Sequence, residues 1–92
     1  MAVPAPAHAA RGVLTVNGTW YPDPERQCIL KINGHPHYPY WDVSNHTDQA
    51  VRLYKNLSIH GGCWGDPVAM IPPGESMTGE EHRDTVSLWV PA

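Results

Sequence analysis

The sequence predicts a small all-β domain, an antiparallel sandwich or barrel of Greek-key-like type held by one disulfide. Three observations predict it. Ten Pro and eight Gly in 92 residues leave few stretches in which a helix could run unbroken. Apolar residues alternate with polar ones at a period of two rather than 3.6. Turn chemistry recurs between these runs, as Asn17-Gly18, Pro22-Asp23-Pro24 and Pro72-Pro73-Gly74. Together they give about seven short strands in a single domain. A core of that size is marginally stable without a staple.

The elements follow in order. Val13-Leu14-Thr15-Val16 pairs with Thr19-Trp20-Tyr21 across Asn17-Gly18, the pair best suited to a type I′ hairpin turn. Residues 27–33, QCILKIN, form the next strand, with Cys28, Leu30 and Ile32 on one face. In YWDVSN (40–45), Tyr40, Asp42 and Ser44 oppose Trp41 and Val43. AVRLYKNLSI (50–59) sets Val51 and Leu53 against Ala50, Arg52 and Tyr54. VAMI (68–71) is short and apolar, residues 72–76 read as a turn, and DTVSLWV (84–90) closes the domain with Val86, Leu88 and Val90 on one face. The expected core is Leu14, Val16, Leu30, Ile32, Val43, Val51, Leu53, Ile71, Val86, Leu88 and Val90. Phe is absent, so Trp20, Trp41 and Trp89 are expected to fill it.

Residues 1–11, MAVPAPAHAAR, carry no apolar periodicity and are expected to form a disordered N-terminal arm before a β domain over 12–92. Ala7-His8-Ala9 fits the small-x-small pattern that precedes a signal-peptidase cut, so the arm reads as the remnant of an export signal. An oxidising, extracellular compartment follows. There Cys28 and Cys63 would form a disulfide worth about 3–4 kcal/mol in the chain-entropy model. The formal charge is −3, from 6 Lys+Arg and 9 Asp+Glu, without a basic stripe for nucleic acid. No apolar run approaches the ~18 residues of a membrane span.

Residues 43–78, VSNHTDQAVRLYKNLSIHGGCWGDPVAMIPPGESMT, contain Val-x-Asn-x-Thr-Asp, then Val-x-Leu-Tyr, a Gly/Cys turn and Pro-Gly-x-Ser. This order resembles small secreted actinobacterial β proteins and the βγ-crystallin-like fold with its peptidase-inhibitor branch. The resemblance covers about half the chain and implies a stable extracellular Greek-key domain, with protease inhibition as one activity. The calcium loops of the family use Asp/Asn-x-x-Ser, which Asp84-Thr85-Val86-Ser87 matches, whereas Asp42-Val43-Ser44 is one residue short. A weak Ca²⁺ site near Asp84 would follow.

GHPHYPYW (34–41) is the most distinctive stretch. His35 and His37, two residues apart on extended chain, would point to one side and could hold Zn²⁺ or Cu²⁺ with His60 as a further ligand. The competing reading is a stiff loop, set by Pro36 and Pro39, that presents His35, His37, Tyr38 and Tyr40 to a partner. Trp64, in the Gly-rich HGGCWGDP (60–67), would extend that surface, since exposed aromatics can anchor a protein or stack on sugar rings. A reactive Cys63 thiol activated by His60 is the weaker account beside a Cys28–Cys63 bond. Asp23, Glu25, Glu75, Glu80, Glu81 and Asp84 are scattered among turns, and no catalytic pair is expected. Three Asn-x-Ser/Thr triplets begin at Asn17, Asn45 and Asn56. The expected function is a small secreted, non-enzymatic binding module for a protein partner such as a protease. The alternative is a secreted transition-metal binder using His35 and His37.

Overall fold

The computed structural model describes residues 10–32, 40–55, 62–80 and 85–91. Among these residues there are eight strands and no helix: β1 Gly12–Val16, β2 Thr19–Pro22, β3 Gln27–Leu30, β4 Asp42–Thr47, β5 Val51–Tyr54, β6 Ala69–Ile71, β7 Ser76–Thr78 and β8 Ser87–Val90. They form two four-stranded sheets, in the orders β2-β1-β4-β7 and β3-β8-β5-β6, with every neighbouring pair antiparallel. The fold is thus the sandwich of the two expected alternatives. Its pairing is nested: β5 with β6, β4 with β7, and β3 with β8. Rolling such a ribbon brings β8 against β5 as well, and β1 fills the place between β2 and β4. This is the nesting of a two-sheet jelly roll.

The core lies between the sheets. Leu14, Val16, Val43, Val51, Leu53, Ile71, Leu88 and Val90 are all buried there, as the alternation predicts. The β1–β2 turn is the expected one: Val16 faces Thr19, and Asn17 and Gly18 have φ of 51° and 82°. Asn17 does more than turn. Its Nδ2 donates to the Ile32 carbonyl at 2.6 Å, and its Oδ1 accepts from the Asp42 N–H at 2.8 Å. The eighth strand, β7, falls where a turn was expected. Its only apolar residue is Met77, so period two has nothing to register.

Four residues expected in the core are not in it: Val86 and Trp89 are only partly buried, and Leu30 and Trp20 are exposed for different reasons. Leu30 is 46% exposed, because Ile29 rather than Leu30 faces the core from β3. Leu30 pairs with Ser87, yet the Ile32 N–H bonds the Val86 carbonyl, so Lys31 and Ile32 share one partner. Lys31 is the inserted residue of a bulge, with φ of 56°. The bulge reverses the phase and turns Ile32 inward, so Cys28, Leu30 and Ile32 do not share a face. Trp20 fails through its strand. It lies on the outward side of edge strand β2 and is 72% exposed. Trp41 is buried as expected, seated on Gly79, where any Cβ would strike the indole. Trp89 is half-buried.

The domain also takes in Ala10 and Arg11, which the sequence assigns to the arm. Ala10 is buried and its N–H bonds the Pro24 carbonyl at 3.0 Å. Arg11 exchanges bonds with Asp48, N–H to Oδ1 and carbonyl from N–H. Gly12 follows with φ of 115°, its Cα packed so closely on the His46 carbonyl that a side chain is excluded.

One buried amide pins the corner where the chain crosses between sheets twice. Asn45 is fully buried. Its Nδ2 donates to the carbonyls of Gln49 and Ile71, each at 2.8 Å, and its Oδ1 accepts from the N–H and hydroxyl of Thr47. Its backbone bonds Glu75 and Gly74. One side chain therefore joins the β4–β5 crossing to the β6–β7 crossing, with all its hydrogen-bonding capacity used.

Candidate functional site

Position parity decides what each sheet shows to the outside. In the second sheet, Ile29, Leu88, Leu53 and Ala69 face one another on the core side. The adjacent row, Cys28, Trp89, Arg52 and Met70, therefore faces outward. Leu30, Ser87 and Tyr54 form the next outward row. Outward residues of a sandwich are normally wet, yet Ser87 and Tyr54 are buried. The segment that carries Cys63 lies over Ser87. Cys28 and Cys63 are disulfide-bonded, with Cα atoms 6.0 Å apart, and the Cys63 N–H donates to Ser87 Oγ at 3.0 Å. The bridge thus lies outside the sandwich rather than through its core, and it fastens a loop to a sheet face.

Cys63 itself has φ of 53°, and Gly62 and Gly65 beside it have φ of 89° and 81°. The glycine-rich composition of this turn is the backbone cost of laying it flat on the sheet. Trp64 on this loop stays 42% exposed, as do Leu30 and Met70 on the two edge strands of the sheet at 46% and 48%. A rigid loop and exposed apolar side chains of this kind are features of protein-contact surfaces.

The outward face of the first sheet is different. Trp20, Thr15, Ser44 and Ser76 face one another in a row across its four strands. Ser76 Oγ donates to Ser44 Oγ at 2.9 Å. One step towards the hairpin turn, Asp42 pairs with Thr78. There Asn17, Gly18, Tyr40 and Asp42 line a pocket of about 230 Å³. The Asn17 amide sets its floor, since it holds the Asp42 backbone on one side and Ile32 on the other. No covering loop crosses this face among the described residues.

Of the residues expected to form a contact surface, the structure describes Tyr40 and Trp64. They stand on different sheets' sides: Tyr40 is half-buried at the pocket, and Trp64 is on the stapled loop. His35, His37 and Tyr38 lie outside the described residues, as do His60 and Asp84. Among the described residues no group of three or more His, Cys, Asp or Glu is placed to hold a metal ion. The oxygen of Ser87, the last member of the expected calcium element, is taken up by the Cys63 N–H. Cys63 is oxidised, so the thiol account is closed. Both Nδ2 hydrogens of the buried Asn45 are committed to internal bonds, which leaves none for a glycan to replace.

Fold and disulfide together define the class: a small, disulfide-stapled antiparallel β-sandwich with one outer face that a loop partly covers and one that no other described segment covers. Compared with protein-family models, curated proteins and solved structures, the chain matches none. Among the described residues no helix is long and apolar enough to cross a membrane.

Three functional features escape sequence reasoning. The exposure of Trp20 follows from its being on an edge strand, which order along the chain does not reveal. The contact that covers Ser87 comes from a loop elsewhere in the chain. The roles of Asn17 and Asn45 could have been suspected, because Asn beside turn residues often bonds nearby backbone.

Proposed function

We propose that this chain is a small extracellular, non-enzymatic binding module that meets a protein partner through the stapled face of the second sheet. The observation that carries it is the Cys28–Cys63 bridge, which fastens the loop bearing Trp64 to a sheet whose outward rows carry Leu30 and Met70, all three of them exposed. A loop held in place before contact loses little entropy on binding, so more of the contact energy remains as affinity. Indoles are frequent anchors of such surfaces. The disulfide supports an oxidising compartment, and with it secretion. Protease inhibition is the activity that the crystallin-like resemblance of residues 43–78 implies. A stapled loop fits it, because a protease inhibitor must resist the enzyme it occupies.

The test is a titration of the oxidised protein against a panel of serine, cysteine and metalloproteases at matched concentrations. Stoichiometric inhibition of one of them, lost in Trp64→Ala and on reduction, is the expected result. Unchanged turnover across the panel would remove the inhibitor reading. Inhibition that survives both changes would move the contact surface elsewhere.

A further inference from the structure

We propose that the open outer face of the first sheet binds a neutral saccharide, with one sugar ring in the pocket of Asn17, Gly18, Tyr40 and Asp42 and the chain continuing over Trp20. The pocket's volume of about 230 Å³ falls below the roughly 300–1,000 Å³ typical of drug-sized ligands, so it suits one ring of a longer molecule.

The chemistry around it is of two kinds. Tyr40 and the 72%-exposed Trp20 supply aromatic surface, whose faces receive the C–H side of a pyranose. Asp42, Thr78, Ser44 and Ser76 supply a carboxylate and hydroxyls on the same outward side, able to bond ring hydroxyls. Trp20 lies two residues along the strand from Gly18, about 7 Å at strand rise. It lies two strands from β4, about 10 Å at strand spacing. An oligosaccharide of a few units spans that path.

Other ligand classes fit this face less well. A peptide recognised by a sheet needs free main-chain groups at an edge. β1, which leads into Asn17, and β4, which bears Asp42 at the pocket, are paired on both sides, so an added peptide strand could pair only at the β2 or β7 edge and would leave the pocket empty. A phosphorylated ligand would meet the Asp42 carboxylate in a chain of net charge −3, with no cationic side chain among the described residues that line the pocket. A neutral polyhydroxylated ring uses what is present. This site is on the opposite side of the sandwich from Trp64 and does not depend on the protein-contact reading.

The experiment is calorimetric titration of the oxidised full chain with cellohexaose, chitohexaose and maltohexaose in turn, with ¹H–¹⁵N spectra of the same mixtures. Saturable binding of at least one of them is expected, with shifts at the Gly18 and Asp42 amides and the Trp20 indole. Trp20→Ala and Asp42→Asn should each weaken it by about tenfold, the scale of one aromatic or charged contact. Trp64→Ala should leave it unchanged. Both Trp20 and Asp42 are exposed side chains, and an unchanged urea midpoint verifies the fold of each variant. No saturable binding of any of the three, or binding that persists in Trp20→Ala, overturns the proposal. So does binding that is lost in Trp64→Ala.

Discussion

The two outer faces of this sandwich are finished by different means. The first sheet's face is polar and open, and its edges and corners are held by side-chain amides: Asn17 at the hairpin and Asn45 at the double crossing. The second sheet's face is apolar enough to need a cover, and it receives one through a covalent bond. Exposed face chemistry and stabilising device thus go together. Where outward residues are Thr and Ser, water completes the surface. Where they include Tyr54, Trp89 and Leu30, the chain folds back over the neighbouring Ser87.

That contrast makes the largest effect fall on the first sheet. Asn45→Ala would strand the Ile71 carbonyl and the Thr47 N–H and leave the Gln49 carbonyl with the Thr47 hydroxyl alone, so a loss of about 3–5 kcal/mol is expected, from unsatisfied groups at roughly 1–3 kcal/mol each. Urea unfolding with an unchanged slope would measure it. A loss under about 1 kcal/mol would mean that water or a rearranged turn replaces the amide.

Next comes the bridge. Replacing Cys28 and Cys63 together by Ser should cost about 2–4 kcal/mol. Hydrogen exchange sharpens the comparison. The Cys63 amide, bonded to Ser87 Oγ, should lose protection well before amides of β1 and β4 in the same sample. Uniform loss of protection would show instead that the two faces are one cooperative unit.

A smaller effect separates the two roles of Asn17. Asn17→Gly keeps a residue that accepts positive φ but deletes the bonds to Ile32 and Asp42, so a loss of about 1–2 kcal/mol is expected by thermal and urea unfolding. The smallest effect belongs to Trp20→Ala. An indole this exposed should change stability by no more than about 0.5 kcal/mol in the same measurements. A clear destabilisation would make Trp20 part of the packing rather than of a surface.

Fold class and staple are legible in the sequence because both depend on local signals. Asn17-Gly18 dictates its hairpin, period two marks most inward residues, and two cysteines admit one pairing. Lys31 shows where this ends. Nothing in QCILKIN announces that its lysine takes a left-handed conformation, and that single φ exchanges which of Ile29 and Leu30 is inside. Trp20 and Ser87 show a second limit. Their burial is set by which strand is at the edge and which loop lies overhead, and both are long-range facts. Of the candidate site, the bridge and Trp64 emerge directly from the sequence. The pocket at Asp42 does not, since its walls come from separate segments 25 residues apart.

The bridge's position also bears on the order in which the fold assembles. β3 and β8 pair Cys28 with Trp89, among the most distant partners along the chain. Once Cys28 is bonded to Cys63, the connection between those strands runs through the sulfurs, and the segment to be closed shrinks by more than half. Closure entropy varies only with the logarithm of length, so the oxidised chain should fold about threefold to fourfold faster than the reduced one. A link that serves the finished protein as a clasp on its surface thus serves the folding chain as a short cut.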